Sequence, residues 1–234
     1  MPRLIAAIIR HGDYRQLSKT PSAHQPFPLT EKGIDQAREA ATAIREIIAT
    51  NNWLLSPSVE SSQLLRAWQT AKLLIDELTD LFPQPAVLTG HDELAERGLG
   101  SAANLTIGQI EQIIRDDPRF DDLPADWKSN SHFRLPLQGA ESLMDAGERV
   151  ANQLQESMES LAQSANSDTL QLFIGHGAAF RHAAYHLGIL AFEDIAKLSM
   201  YHAVPVYLEY TVEGVWKHID GNWKVRSRHS EYRD

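Results

Sequence analysis

The sequence predicts an α/β layered fold. Strand-like and helix-like stretches alternate along its 234 residues, the pattern of helices packed on a sheet. The first apolar run, Leu4-Ile5-Ala6-Ala7-Ile8-Ile9, has no polar position, as a strand covered on both faces requires. Elsewhere apolar residues recur every three or four positions, the period of a helix with one buried stripe.

In chain order, the run at 4–9 is a buried strand. Thr30 then opens a helix, because its hydroxyl can accept from an otherwise unpaired amide of the first turn. Ile34, Ala37, Ala41, Ile44 and Ile48 follow on one face. A weaker extended stretch at 53–62, interrupted by Pro57, leads into a helix at 64–78 marked by Leu64, Ala67, Ala71, Leu74 and Leu78. Residues 82–139 hold five prolines and mixed charge, and read as an irregular inserted subregion. Residues 140–165 carry Leu143, Val150, Leu154, Met158 and Leu161 on a further amphipathic helix. A short apolar strand at 170–174 runs directly into Gly175-His176-Gly177. Residues 204–210 read as a strand, and 216–219 with 223–225 as a hairpin about Asp220-Gly221-Asn222. With no internal repeat or interdomain linker, residues 1–234 are expected to form one domain carrying an insertion.

Apolar residues make up 43% and charged residues 23%, ordinary values for a folded globular chain. The net charge of −9 argues against general nucleic-acid binding, which needs clustered Lys and Arg against phosphates. The absence of Cys excludes disulfide frameworks, thiolate metal sites and cysteine nucleophiles. No run approaches the ~20 apolar residues of a membrane span, and the run at 4–9 is shorter than the ~7–15 of a secretory signal core. A cytoplasmic location without membrane contact is therefore expected.

Two motifs look alike. The first strand ends in Arg10-His11-Gly12 and a late one in Gly175-His176-Gly177. In open α/β sheets ligands sit at the carboxyl ends of strands, so both histidines fall where a site belongs. A lone loop histidine is more often a local hydrogen-bonding group; two in matching positions point to a site. Arg66 lies near the start of the 64–78 helix, and a guanidinium beside free helix amides is a natural anion site. An isolated Arg there is more simply a solvated surface group.

Six blocks in this order resemble the histidine phosphatase superfamily, also called phosphoglycerate mutase-like: Arg10-His11-Gly12, Leu29-Thr30-Glu31-Lys32-Gly33, Leu65-Arg66-Ala67-Trp68-Gln69-Thr70-Ala71, Leu94-Ala95-Glu96-Arg97, Glu141-Ser142 and Gly175-His176-Gly177. Arg-His-Gly alone is a weak signal; the five further blocks make it specific. The resemblance implies a three-layer α/β/α sandwich with a mostly parallel sheet and a cap at about 97–139 over the site. It implies that His11 is the nucleophile that becomes phosphohistidine. It places Arg10, Arg66 and His176 on the phosphoryl oxygens, His176 also counting among the catalytic groups. Glu96 would protonate the leaving alkoxide and then activate water. Tyr14, His24, Arg134 and His202 are further candidates for touching substrate.

The chemistry suits a phosphate monoester. Two guanidinium forks match the oxygens of a dianion that otherwise repels nucleophiles. A neutral imidazole attacks near pH 7 and divides one hard step into two. Two Arg and a carboxylate account for catalysis without a metal or cofactor. His182 and His186, four apart, have a zinc-like spacing but lack the glutamate of a metalloprotease helix, and are more simply structural or rim residues. Asp116-Asp117 and Asp121-Asp122 read as a solvated face.

Within the family the choice is phosphatase or mutase. Residues 97–139 hold five basic and six acidic side chains, which offers a bisphosphate no special attraction. Family mutases usually carry a Tyr three residues past the acid, where this sequence has Leu99, and paired Arg in the cap, where Arg134 stands alone. A phosphatase acting on a small phosphorylated substrate, or a phosphoprotein, is the favoured reading. The alternatives are a cofactor-dependent mutase and a non-enzymatic anion- or partner-binding module, against which the presence of His11 and Glu96 argues. Phe120, Trp127 and Phe133 are available for apolar contacts; substrate and oligomeric state stay open.

Overall fold

The computed structural model describes residues 2–211 and 213–226. The fully apolar first run becomes β1 (Leu4–Arg10), buried at every position. It pairs in parallel with β4 (Thr169–Gly175), which pairs in parallel with β2 (Leu54–Ser62), which pairs in parallel with β3 (Val87–His91). On the other side of β1, β6 (Pro205–Tyr210) and β7 (Trp216–Asp220) add antiparallel, completing a six-stranded sheet in the order β3-β2-β4-β1-β6-β7.

Alternate residues of β1 feed two cores. Ile5, Ala7 and Ile9 meet α1 (Glu31–Asn51) and α2 (Leu65–Glu77), while Leu4, Ala6 and Ile8 meet α4 (Leu143–Ser164) and α5 (Gly177–His186). The fold is therefore a helix layer on each face of a mostly parallel sheet, and a run without polar positions is what the middle strand demands. Thr30 caps α1, accepting from the Gly33 amide at 3.1 Å, and Ala37, Ala41, Ile44 and Ile48 face the core as their spacing requires. Ser142 caps α4 in the same way, so the helix starts at Leu143, three residues later than the start read from the pattern.

Three sequence expectations change. Residues 82–139 are not wholly irregular: they contain β3, an exposed edge strand, and α3 (Ile107–Asp116), opened by a reciprocal Thr106–Gln109 cap. The 53–62 stretch, by contrast, stands as read: it forms β2, with a register shift between Leu55 and Val59 where Pro57 interrupts it. The hairpin about Gly221 does not form. β7 pairs back onto β6 through a turn at Gly214, whose φ is +78°, and β8 (Lys224–Val225) instead joins β5 (Leu198–Ser199), which follows the short α6 (Phe192–Ile195). The sheet edge at Tyr207–Tyr210 offered a longer ladder than the two residues of β8 could. Trp127 also lies in an apolar cluster with Leu99, Ile110 and Leu135, as core rather than as an exposed contact. Among the described residues no helix is long and apolar enough to cross a membrane.

Candidate active site

The carboxyl ends of β1 and β4 are neighbours. Arg10 pairs with Gly175, and the His11 amide donates to the Gly175 carbonyl at 3.0 Å. The two glycine-flanked histidines leave the sheet side by side, their ring centroids 5.1 Å apart. From the far side of β4, β2 ends at Ser62 and α2 begins, which sends Arg66 between the two rings.

Arg66 organises the cluster. Its Nε donates to His11 Nε2 at 3.1 Å, and one Nη donates to His176 Nδ1 at 3.1 Å and to the Ala23 carbonyl at 2.8 Å. The other Nη donates to the Gln25 carbonyl at 2.9 Å. Tyr14 lies over the guanidinium at 4.5 Å and bonds through its hydroxyl to Ser22. These partners fix both tautomers. Gly12 offers His11 Nδ1 only a carbonyl, at 2.7 Å, so Nδ1 carries the proton and Nε2 keeps its lone pair. In His176 the roles reverse: Nδ1 accepts from Arg66, and Nε2 donates to Ser62 Oγ at 3.0 Å.

Burial, and then the adjacent Arg66, hold both imidazoles well below their ordinary pKa, so both are neutral. His202 donates through Nδ1 to the His11 carbonyl at 3.0 Å and sets its ring 5.5 Å from His11; burial and Arg10 pull it down to about 4. Arg10 donates to the Met200 carbonyl at 3.0 Å, which ties the cradle to the segment before β6.

Glu96 stands at the edge of this cluster, buried, with Oε1 accepting from the Arg97 amide at 2.9 Å. Its segment is clamped from α4. Arg149 donates to the carbonyls of Glu93, Ala95 and Glu96 at 2.6, 3.0 and 3.3 Å and pairs with Glu141 at 2.8 Å. Burial opposes ionisation of Glu141, but Arg149 and the Gly98 amide outweigh it and hold its carboxyl below the usual range. His24 donates through Nε2 to the Glu96 carbonyl at 2.8 Å.

The structure thus brings together His11, Arg10, Arg66, His176, Tyr14 and His202, with Glu96 and His24 alongside. Arg134 lies elsewhere: it is exposed and pairs with Asp145 at 2.6 Å. His182 donates through Nδ1 to the Ala178 carbonyl and accepts from Ser131, while His186 meets the Met144 carbonyl. His182 thus ties α5 to the 97–139 segment, and His186 ties α5 to α4. Sequence reasoning missed Ser62, which sets the His176 tautomer, and the Arg149 clamp. Ser62 was findable as the polar end of a strand beside the site; nothing in the sequence pairs Arg149 with backbone carbonyls fifty residues away.

A model of the histidine phosphatase superfamily (branch 1) matches residues 6–219. The chain belongs to this superfamily. A 2,3-bisphosphoglycerate-dependent phosphoglycerate mutase of Parvibaculum lavamentivorans is 26% identical over 218 residues, covering 92% of this chain and 93% of the relative. Among solved structures, a mycobacterial glucosyl-3-phosphoglycerate phosphatase is similar at a TM-score of 0.63 and 24% identity, over 96% of this chain and 98% of its own. A phosphoglycerate mutase of Bacillus anthracis str. Sterne reaches 0.69 at 16% identity, over 94% and 92%. Similar histidine phosphatase superfamily members thus carry both phosphatase and mutase names, and these structures share the fold described above.

Proposed function

We propose that this histidine phosphatase superfamily member is a metal-independent phosphomonoester hydrolase working through a phosphohistidine on His11, with residues 97–139 as the cap of a single domain. The observation that carries the reading is the fixed tautomer of His11: a neutral ring, its proton held by Gly12, aims the Nε2 lone pair at a guanidinium. A phosphoryl dianion would take over the N–H groups of Arg66 now spent on His11 Nε2 and on the carbonyls of Ala23 and Gln25, with Arg10 as the second fork.

His11 Nε2 then attacks phosphorus, and the bond to the leaving oxygen breaks as that oxygen takes the Glu96 proton. In the second half Glu96, now a carboxylate, accepts a proton from water as the water oxygen attacks phosphorus. The P–N bond breaks and the electron pair returns to Nε2. His176 would hold a phosphoryl oxygen through its Nε2–H, now spent on Ser62 Oγ.

Leu99, buried in an apolar cluster where family mutases carry a Tyr, favours hydrolysis over mutase chemistry. The mutase reading rests on the Parvibaculum relative and predicts interconversion of 3- and 2-phosphoglycerate primed by the bisphosphate. Hydrolysis of p-nitrophenyl phosphate in EDTA, with an acid-labile phosphoenzyme trapped in wild type and absent from His11→Ala, is the expected result. Turnover that requires added metal, or label retained by His11→Ala, overturns the proposal.

A further inference from the structure

Arg149, on α4, spends every donor it has. Its five N–H groups face six acceptors. Nε and one Nη donate to the two oxygens of Glu141 at 2.8 Å each, and that Nη also meets the Glu96 carbonyl at 3.3 Å. The other Nη meets the carbonyls of Glu93 and Ala95 at 2.6 and 3.0 Å, with that of Asp92 at 3.4 Å. A guanidinium so occupied has nothing left for a substrate oxygen. Glu141 is locked in turn: its Oε2 accepts from the Gly98 amide, and its own amide donates to the Gly98 carbonyl, both at 2.9 Å. The clamp thus closes on the stretch that carries Glu96.

Its grip passes to the carboxyl group itself. The peptide unit between Glu96 and Arg97 is one rigid plane. On one edge, the Glu96 carbonyl takes two donors: Arg149 Nη and, from the loop after β1, His24 Nε2 at 2.8 Å. On the opposite edge, the Arg97 amide donates to Glu96 Oε1 at 2.9 Å. The carboxyl group is therefore fastened to a plane that Arg149 and His24 hold from behind. Because Oε1 accepts an N–H, the proton of the acid belongs on Oε2. Without that hold the plane can turn and carry Oε2 off its line, and a misplacement of about 1 Å is enough to cost about a hundredfold in rate.

We infer that Arg149, locked by Glu141, is a positioning residue for Glu96: through the 96–97 peptide it sets the place from which Oε2 gives up its proton. This deepens the hydrolase reading and rests on it for the role of Glu96. His24 belongs to the same unit through the Glu96 carbonyl.

Arg149→Met keeps much of the side chain and removes all its donors. Single-turnover release of the phenol reads phosphoenzyme formation alone. It is measured on phenyl phosphate and p-nitrophenyl phosphate, of which the first gains far more from a proton on its leaving oxygen. Arg149→Met is expected to slow the phenyl ester tenfold or more and the nitrophenyl ester less than threefold, with the inhibition constant of inorganic phosphate within twofold of wild type. In a Glu96→Gln background the same change is expected to add less than threefold on phenyl phosphate, because residues that act as a unit are not additive. Arg149→Lys, which keeps the charge and fewer donors, is expected to recover part of the loss, and it carries the test should Arg149→Met not fold. Amide exchange at Arg97 reads the clamp without turnover. It is expected to rise tenfold or more while the amides of β1 are unchanged. If the wild type forms no phosphoenzyme from either ester but Arg97 exchange responds, the hydrolase reading fails and the positioning of Glu96 stands. Equal slowing of both esters, fully multiplied losses in the double variant, or an unmoved Arg97 amide overturns the inference.

Discussion

Two buried polar clusters hang on the same sheet, and they are completed in opposite ways. Around Glu60, on β2, the carboxylate accepts from Gln171 at 3.0 Å, from Gln153 at 3.0 Å and from Ser157 at 2.8 Å, with His91 at 3.4 Å. Every partner supplies a donor, and the network closes on itself. Around Arg66 the partners are two imidazole nitrogens and two backbone carbonyls, none of which carries a charge. A buried cation resting on neutral acceptors has much to gain from an incoming dianion; a buried carboxylate wrapped in donors does not. The difference separates a site from a structural cluster where burial alone does not.

The comparison can be broken most severely at His11. His11→Ala is expected to lower hydrolysis by about a thousandfold or more, since the covalent route is lost; a kcat near wild type would assign the nucleophile elsewhere. Next is Glu96→Gln, expected to slow phosphoenzyme formation from alkyl phosphates by about 10²–10⁴ while sparing its formation from nitrophenyl phosphate, whose leaving group needs no proton, with the later attack of water slowed alike for both and the two steps separated by burst kinetics. Equal losses in the first step on both substrates would give Glu96 another role. Arg66→Ala is expected to weaken phosphate binding by about 1.5–3 kcal/mol, the worth of a charged hydrogen bond, read from the inhibition constant of inorganic phosphate.

Acid sharpens the contrast further. His182 and His202, pulled by burial to about 3 and about 4, stay neutral in the folded protein at pH 5 while their unfolded counterparts bind protons. The unfolded state then binds more protons, so stability present above the unfolded value near 6.5 is lost as pH falls below it. His182 alone is expected to cost on the order of 2 kcal/mol between pH 7 and pH 5, and His182→Gln should flatten the fall in Tm by a comparable amount. The smallest effect is at the closed network. Glu60→Gln is expected to cost about 1–3 kcal/mol of stability while kcat/KM stays within twofold, measured by thermal melts and assays on the same sample.

Much of this arrangement was legible because burial writes itself into a strand that is apolar at every position. The run at 4–9 read as a buried strand and 170–174, despite Gln171, as a short apolar one, and their ends located both histidines. β3 did not, because an edge strand with Thr89, Gly90 and His91 has neither an apolar run nor an alternation. The α3 signal was present, in Thr106 and Gln109 followed by Ile110 and Ile114, but five prolines nearby drew the segment toward loop. Charge was the harder case. Counting residues 97–139 finds a near-neutral cap, yet the cavity of about 640 Å³ that borders Glu96 is lined by Lys19, Arg181 and Arg226 from outside that span as well as by Arg97 and Lys128 from within it. Potential belongs to a surface, and a surface is assembled from segments that no window along the chain contains.

Gly12 and Gly33 meet so closely that a Cβ on the first would lie 2.4 Å from the Gly33 carbonyl oxygen, and a Cβ on the second 2.0 Å from that of Asp13. Just beyond, Tyr14 bridges to Leu29 and the Arg15 amide donates to the Pro28 carbonyl, so the excursion from 15 to 28 leaves and returns through one welded neck. That neck roots the excursion beside the reactive nitrogen, and the Ala23 and Gln25 carbonyls reach back from it to Arg66, so the loop is a buttress of the catalytic frame, and a change in its length would be felt at the guanidinium.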